Sequence, residues 1–260
     1  MSGKILLSFD VEEFDLPREH GAEISVKDGA KVSAEGLDKI LDVLKNNGVK
    51  ATFFCTVNFA KEQPKLIRRI IKDGHEVAGH GVDHFNPHKT DVLECKKYLK
   101  KEFGVDIVGF RQPRMQMIDY KNLHSCGYRY DSSVNPAFIP GRYNNLKTPR
   151  NPYSRNGVIE VPVSVATFMR VPLFWLALHL FPFSVYANFA KMSIKKTGYF
   201  ATYFHPWEFA KLDVFKMVPF YIKKNSGDKL VLRLDKLIKK LKSEGCEFVG
   251  YGEFTLDLVI

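Results

Sequence analysis

Short apolar runs alternate with amphipathic stretches along most of the chain. The run at residues 5–9 in KILLSFDVEEFD predicts a buried strand that ends in a group of acids. In SAEGLDKILDVLKNNGV the apolar residues recur at helical spacing, with Ser33 as a candidate N-cap and Gly48 as the stop. The β-rich run KATFFCTV follows. This part of the chain is therefore predicted to form a strand, a helix and a second strand.

The same alternation continues to the end of the chain. Helical patterns in QPKLIRRIIKDG, VLECKKYLKKEFG and LDKLIKKLKSEG are interleaved with the strand patterns HEVAGH, IVGFRQP, VIEVPVS and GYFATYFHP. Strands separated by helices indicate an α/β protein with a mainly parallel sheet. With about seven such strands and no glycine-rich dinucleotide motif, the predicted fold is a distorted (β/α) barrel, closed or nearly closed. We expect residues 1–260 to form a single domain.

Two stretches depart from this alternation. Residues 14–32 are predicted to form a long polar loop over the mouth of the barrel. Residues 165–190 are an apolar and aromatic insertion, which Arg170, Pro172, His179 and Pro182 interrupt too often for a membrane-spanning helix. Two interpretations of this insertion stay open: it packs onto the barrel, or it presents a surface to a membrane or a lipid chain.

The net charge is +10, with 39 Lys and Arg against 29 Asp and Glu. Solvated helix faces account for part of this excess, and the alternative is an anionic partner such as a phosphorylated substrate or a membrane surface. Because no recognisable nucleic-acid-binding module accompanies the charge, nucleic acid is not expected as a partner.

The cysteines and the N-terminus bear on the compartment. The four cysteines are scattered, without a CxxC pair, and are interpreted as free thiols. The start MSGKILLSFD lacks the features of a signal peptide. We therefore expect a cytoplasmic protein, either free or peripheral at the membrane.

Candidate chemical residues follow the predicted strands. Because active sites of (β/α) barrels lie at the carboxyl ends of the strands, these residues are expected to meet there. Asp10 and Glu12 share one face of the first strand, since side chains alternate along a strand. His80 and His84 are four residues apart and would share one face of a helical turn. Either pattern alone is common, but together they predict a two-histidine, one-carboxylate site for a divalent metal ion.

Such a site supports hydrolysis. A bound metal ion activates water and polarises a carbonyl, a nearby carboxylate takes the proton of the water, and fixed donors stabilise the oxyanion. A separate acid must protonate the leaving nitrogen. His205, in FHPWEF at the end of a later strand, can fill that role, and Arg111 and Asp131 end two further strands.

Five segments in order resemble the polysaccharide deacetylases, the fourth family of carbohydrate esterases. They are LLSFDVEEFD, KATFFCTVNFAKEQPKLIRRIIKDGHEVAGHGVDH, GFRQP, GYRYDSSV and FHPWEF. The resemblance runs from about residue 4 to residue 209. It implies a deacetylase-type distorted barrel and a metal-dependent enzyme that removes N-acetyl or O-acetyl groups from sugars.

Carried over residue by residue, the resemblance implies that Asp10 is the general base. It implies that Glu12, His80 and His84 bind the divalent metal ion, which is zinc or else cobalt, nickel or manganese. Arg111 would hold the base by a charge-assisted hydrogen bond.

The resemblance also assigns roles around the substrate. His205 would be the general acid, and the backbone N–H of Arg114 would help to bind the oxyanion. Asp131 is a candidate partner of Arg111 or His205, with a turn or cap role as the alternative. Trp207 would stack on a sugar or form an apolar wall beside the acid, with a simple packing role as the alternative.

The first motif departs from the commonest pattern of that family. Many members have two adjacent aspartates, whereas here Val11 follows Asp10 and the next acid is Glu12. The Asp-Val-acid arrangement resembles peptidoglycan deacetylase-like and allantoinase-like members. The predicted activity is hydrolysis of a non-peptide C–N bond.

Three functions follow from this. The first is N-deacetylation of an acetylated sugar or of a lipid-linked or nucleotide-linked glycan intermediate, and the second is hydrolysis of a small cyclic amide. The third is a non-catalytic barrel that binds glycan. Each is compatible with an oligomer that packs through the barrel edges or the insertion.

Overall fold

The computed structural model describes residues 3–258, and most of its strands belong to one nine-stranded sheet. A separate two-stranded sheet is formed by β6 and β7. The strands are β1 Lys4–Val11, β2 Thr52–Cys55, β3 Glu76–Gly79, β4 Gly109–Phe110, β5 Tyr130–Asp131, β6 Phe138–Ile139, β7 Tyr143–Asn144, β8 Tyr153–Arg155, β9 Val158–Glu160, β10 Tyr199–Phe204 and β11 Glu247–Phe248.

Helices connect these strands and surround the sheet. They are α1 Leu16–Glu19, α2 Val26–Asn47, α3 Val57–Glu62, α4 Pro64–Lys72, α5 Asp91–Phe103, α6 Tyr120–Ser125, α7 Trp175–Leu180, α8 Phe183–Thr197, α9 Phe220–Lys223, α10 Asp228–Ser243 and α11 Tyr251–Leu256. Two short 3₁₀ turns, Pro113–Met115 and Pro206–Phe209, follow β4 and β10.

The sheet order confirms the predicted parallel barrel. The strands β10, β1, β2, β3, β4, β5 and β9 lie side by side, and each neighbouring pair is parallel. The strand β8 adds an antiparallel edge to β9, and β11 pairs with the start of β1. The irregular segment after β9 reaches β10, since the N–H of Ser164 donates to the carbonyl of Ala201 at 2.9 Å. Closure through this segment makes the barrel distorted.

The alternation along β1 decides what faces the barrel interior. Phe9 and the other odd-numbered apolar residues of β1 pack against the helices, whereas Leu6 packs inside with Phe54 and Tyr130. Because side chains alternate, Asp10 and Glu12 lie on the same side as Leu6. The interior is therefore apolar at the amino end of the strands and acidic at the carboxyl end.

The predicted polar loop at residues 14–32 is wrong. The helix α2 starts seven residues earlier than the position of Ser33, because the hydroxyl of Ser25 accepts the N–H of Asp28 and caps the helix. Ser33 is buried within the helix. The short helix α1, Leu16–Glu19, forms another part of this segment, so the segment over the barrel mouth is partly helical.

The apolar insertion packs onto the barrel through α8. Tyr186, Ala190 and Ile194 are buried, and the hydroxyl of Tyr186 lies 2.9 Å from that of Thr202 on β10. Within residues 3–258, the helices are too short or too polar to cross a membrane.

Candidate metal and catalytic site

Three side chains at the carboxyl end of the barrel form a candidate metal site. Nε2 of His80 and Nε2 of His84 lie 3.3 Å and 3.0 Å from the same oxygen of Glu12, Oε2. All three residues are buried, and each offers one donor atom within 4.8 Å of the others. In the described part of the chain, neither Oε2 of Glu12 nor Nε2 of His80 has a hydrogen-bond partner. Buried polar atoms without partners are costly, so a cation that binds both atoms fits the donor set.

The two histidines converge in a loop, and the predicted helical turn is wrong. Residues 80–84 follow β3 without helical structure, and Gly81 adopts φ +75°, which favours glycine. Nδ1–H of His80 donates to the carbonyl of Arg111 at 2.7 Å, and Nδ1–H of His84 donates to Asp15 at 2.8 Å. These bonds fix both rings so that each Nε2 faces Glu12.

His84 lies between two carboxylates. Burial alone would lower its pKa, but the carboxylates of Glu12 and Asp15 raise the pKa of His84 to about 9. The site is therefore strongly anionic, and it attracts a positive charge, which is supplied by a proton or by a metal ion.

Asp10 is held by a fully buried arginine. Nη1 of Arg111 donates to Oδ1 of Asp10 at 2.6 Å and to the hydroxyl of Ser8 at 3.0 Å, while Nε donates to the carbonyl of Ser132 at 2.7 Å. Burial alone would raise the pKa of Asp10, but the positive charges of Arg111, then His80 and His205, hold that pKa below its ordinary value. The carboxylate is therefore ionised at neutral pH, with Oδ2 turned toward His205.

Changing Arg111 to Met should lower the free energy of unfolding by about 3–5 kcal/mol, because the change leaves the buried carboxylate of Asp10 without its partner. Urea unfolding followed by circular dichroism measures this loss. The exposed Arg129 provides the matched change to Met, for which we expect a loss within about 0.5 kcal/mol. Equal losses in the two variants would contradict a buried ion pair.

His205 follows β10, the strand beside β1, and faces both Asp10 and Glu12. Its Nε2 lies 3.9 Å from Oδ2 of Asp10 and 4.0 Å from Oε1 of Glu12, while Nδ1–H donates to Glu208 at 2.8 Å. Burial alone would lower its pKa, but the carboxylates of Glu12 and Glu208 raise the pKa of His205 above its ordinary value. The ring of Trp207 stacks on His205 with centroids 5.0 Å apart. A protonated imidazole is thus favoured beside Asp10.

Behind His205 lies a second buried histidine. Nε2 of His179, on α7, lies 2.7 Å from Oε2 of Glu208, and its Nδ1–H donates to the carbonyl of Lys224 at 2.9 Å. Because that carbonyl only accepts, the Nε2 contact requires one further proton, which is shared between the ring and Glu208. His179 and Glu208 are both fully buried. The apolar insertion therefore supplies a polar residue that holds the partner of His205.

The structure gives Asp131 the alternative turn role and no hydrogen bond to Arg111 or His205. Its carboxylate accepts the N–H and the hydroxyl of Ser133 at 3.0 Å and 2.9 Å, and it is hydrogen-bonded to Glu160. Burial is the main cause that raises the pKa of both Asp131 and Glu160. These partners hold Asp131 away from Arg111 and His205. The position beside His205 belongs instead to Glu208.

The two residues predicted to contact substrate lie at a cavity of about 360 Å³. Trp207 forms one wall, and its indole N–H also donates to Oε1 of Glu12 at 3.2 Å. Arg114 forms the opposite rim in the left-handed region, at φ +60°, and its side chain pairs with Glu19. Non-glycine residues in this region are uncommon and occur at functional turns.

Asp10, Glu12, His84 and His205 also line this cavity. Helices that the sequence did not assign to the site form its roof, through Trp175 of α7 and Tyr221 of α9. The cavity is therefore acidic at its floor and aromatic above.

Sequence reasoning did not assign Asp15, Trp175 or His179 to the site, and it did not identify Glu208 as the partner of His205. A signal exists for Asp15, which ends the same acidic run as Asp10. The signal for His179 is that a single histidine within an apolar run must find a polar partner when it is buried. Nothing in the sequence indicates which partner.

Comparisons with known proteins agree with this geometry. The family model described as polysaccharide deacetylase matches residues 17–130. The peptidoglycan-N-acetylmuramic acid deacetylase PdaA of Bacillus subtilis is 48% identical over 125 residues, which cover 44% of this chain and 47% of that protein. The chain thus spans about half the length of this curated relative. These matches confirm the family resemblance inferred from the sequence.

Two solved structures share the fold. The allantoinase Puue superposes with a TM-score of 0.67 and 13% identity, over 96% of this chain and 88% of its own. A protein of Mycobacterium smegmatis, provisionally described as a polysaccharide deacetylase, superposes with a TM-score of 0.65 and 20% identity. The match covers 96% of this chain and 88% of that protein. The predicted deacetylase-type distorted barrel is confirmed.

Proposed function

Because residues 17–130 match the polysaccharide deacetylase family, we propose that this protein is a metal-dependent amidohydrolase that removes an N-acetyl group from a sugar or glycan precursor. The matched region contains His80, His84 and Arg111. Asp10, Glu12 and His205 lie outside it, so their roles rest on the motif resemblance and on the geometry of the site. The observation that carries the proposal is the convergence of an ionised base, an acid and a metal-ligand set on one cavity.

The proposed metal ligands are Glu12, His80 and His84. Two imidazoles and one carboxylate suit zinc, with cobalt, nickel or manganese as alternatives. When bound there, a divalent ion supplies Lewis acidity to the acyl carbonyl and to water. Trp207 orients Glu12 for this role, and Asp15 orients His84.

Asp10 is proposed as the general base. Arg111 fixes Oδ1, so that Oδ2 remains directed at the cavity and can take the proton from the attacking water. The oxygen of the water then bonds to the acyl carbon, and the negative charge develops on the former carbonyl oxygen. The backbone N–H of Arg114, at the rim of the cavity, is proposed to stabilise this oxygen.

His205 is proposed as the general acid. Its Nε2 gives a proton to the sugar nitrogen as the C–N bond breaks, so that acetate and a free amine leave. Glu208 stabilises the protonated ring through Nδ1, and His179 holds Glu208 in place. Trp207 and Trp175 enclose His205 with aromatic surface.

Acetate release measures the proposed activity directly. The acetylated substrates to test are chitooligosaccharides, peptidoglycan fragments, a nucleotide-linked N-acetylglucosamine and a lipid-linked N-acetylglucosamine. Allantoin is tested in parallel as a cyclic amide. We expect acetate from at least one acetylated sugar and no turnover of allantoin. Turnover of allantoin alone would support a cyclic amide hydrolase on the same residues. Glycan binding without turnover, at saturating metal, would support a non-catalytic barrel.

Changing Glu208 to Gln should lower kcat about 10- to 100-fold and leave KM within about twofold, because it removes the charge that favours the protonated acid but keeps the hydrogen bonds. Steady-state kinetics on the best substrate measures both constants. His179→Gln is the matched variant, since it keeps Glu208 but changes the side chain that holds Glu208 in place. We expect it to lower kcat less than Glu208→Gln does. An increase of KM alone would contradict the role of Glu208 behind the acid.

A further inference from the structure

Exposed apolar side chains mark residues 211–224, here named the rim segment. Val214 is 76% exposed, Met217 is 53% exposed and Phe220 is 77% exposed. Single exposed apolar residues are ordinary on protein surfaces, but three within seven positions form a patch.

Other apolar residues of the rim segment anchor it to the barrel. Leu212, Val218 and Ile222 are buried and pack with Phe14 and Trp207 in one apolar cluster. These anchors alternate with the exposed apolar residues, so the turns that bury one set direct the other set outward. The exposed apolar side chains therefore belong to a folded segment that is anchored on the barrel.

Basic residues are interleaved with these apolar side chains. The rim segment contains four lysines and one acid, Asp213, and Lys211, Lys216 and Lys224 are exposed. Apolar side chains among lysines on one surface are typical of proteins that lie on an anionic membrane.

A second exposed apolar patch lies in the segment between β9 and α7. Phe168 is 85% exposed and Met169 is 82% exposed, at the tip of a turn. Arg170 of this turn donates to the carbonyls of Pro136 and Thr148, which brings the turn to the β6–β7 hairpin. Phe138 of that hairpin is 54% exposed.

The rim segment and the β6–β7 hairpin, which the turn contacts, flank the active-site cavity. Ile139, next to Phe138, lines it from the hairpin, and Tyr221, next to Phe220, lines it from the rim segment. The apolar surface and the lysines thus lie around the opening through which a substrate enters.

We propose that the rim segment, together with Phe168 and Met169, binds the surface of an anionic lipid bilayer and turns the cavity mouth toward it. Charge complementarity selects this occupant, because the rim segment has a net positive charge and an anionic bilayer offers both negative headgroups and an apolar layer. The binding itself does not depend on the proposed hydrolase activity. If that activity is correct, the orientation favours acetylated sugars attached to a lipid.

Vesicle flotation without any sugar substrate tests the proposal. The probes are vesicles of phosphatidylcholine alone and vesicles of phosphatidylcholine with an equal part of phosphatidylglycerol. We expect the full chain to float with the anionic vesicles only. The triple variant Val214→Ser, Met217→Ser and Phe220→Ser should bind about 10- to 100-fold more weakly, because it removes three inserted side chains but keeps the lysines.

The matched control is Leu256→Ser. Leu256 is 67% exposed on α11, which follows β11 at the amino end of β1 and so lies at the opposite end of the barrel. It should float like the unchanged protein, and circular dichroism should show all variants folded. Absence of flotation, or equal binding by the triple variant, would overturn the proposal. The unchanged protein could instead self-associate without binding vesicles, and the triple variant could lose that self-association. This result would also overturn the proposal and would make the rim segment an interface between copies of the chain.

Discussion

The double variant His80→Ala, His84→Ala should lose the bound divalent metal almost completely. The unchanged protein, loaded with zinc and then desalted, should retain close to one metal ion per chain, because three buried donor atoms lie within 4.8 Å of one another. Elemental analysis measures the metal content. Urea unfolding gives a second readout, since a ligand at about 100 times its Kd stabilises the folded state by about 2.7 kcal/mol. That gain should be absent from the double variant.

Exposed histidines can retain zinc without forming a site, so the control changes two of them. His20 and His88 are both exposed, and the double variant His20→Ala, His88→Ala should keep the metal and the gain in stability. Equal metal loss in both double variants would reveal adventitious binding. No retention by the unchanged protein after loading with zinc, cobalt, nickel or manganese would refute the metal site.

The convergence of Glu12, His80 and His84 could be predicted from the sequence because barrel topology brings strand ends together. Glu12 follows the first strand, and the two histidines follow the third, so a parallel sheet places them at one edge. The local geometry was not predictable in the same way. Spacing alone suggests a helical turn for His80 and His84, whereas the positive φ of Gly81 makes a loop with the same convergence.

Partners from distant segments could not be predicted. Asp131 was a reasonable candidate beside Arg111 or His205, because it ends a neighbouring strand. Its carboxylate instead bonds to Ser133 and Glu160. Which buried acid pairs with which base depends on side-chain contacts between elements, and these are not encoded in local spacing.

The start of α2 illustrates a different limit. Both Ser25 and Ser33 precede a helical pattern, and propensity rules rank them equally as caps. The helix begins at the earlier one, so Ser33 is buried within it. A short-range pattern therefore predicted the helix but not its first two turns, which form part of the cover over the site.

Each buried charge at this site lies beside an opposite charge. This pairing decides which substitutions can separate an effect on activity from an effect on stability. Arg111 neutralises Asp10, and the histidines face Glu12 and Glu208. Truncating any member leaves a partner buried and unpaired, which costs stability as well as activity. Isosteric changes that keep hydrogen bonds separate the two effects better than alanine does.

Asp10→Asn is such a change, and it should lower kcat for deacetylation about 10²- to 10⁴-fold. The amide oxygen can still accept from Arg111, but Asn cannot take a proton from water at neutral pH. Metal content should stay close to that of the unchanged protein, because Asp10 is not in the ligand set. Acetate release and elemental analysis on the same preparation measure both quantities.

Asp15→Asn is the matched control, since it alters a neighbouring acid that supports a metal ligand and not the base. Asp15 accepts from Nδ1 of His84, and the change to Asn removes the negative charge that makes this ligand more basic, so metal affinity should fall about 10- to 100-fold. Activity of this variant should recover at high metal concentration, whereas Asp10→Asn should stay inactive at every metal concentration. Recovery of Asp10→Asn with added metal would move Asp10 from the role of base to that of a metal support. Full activity of Asp10→Asn without added metal would show that Asp10 is not the base.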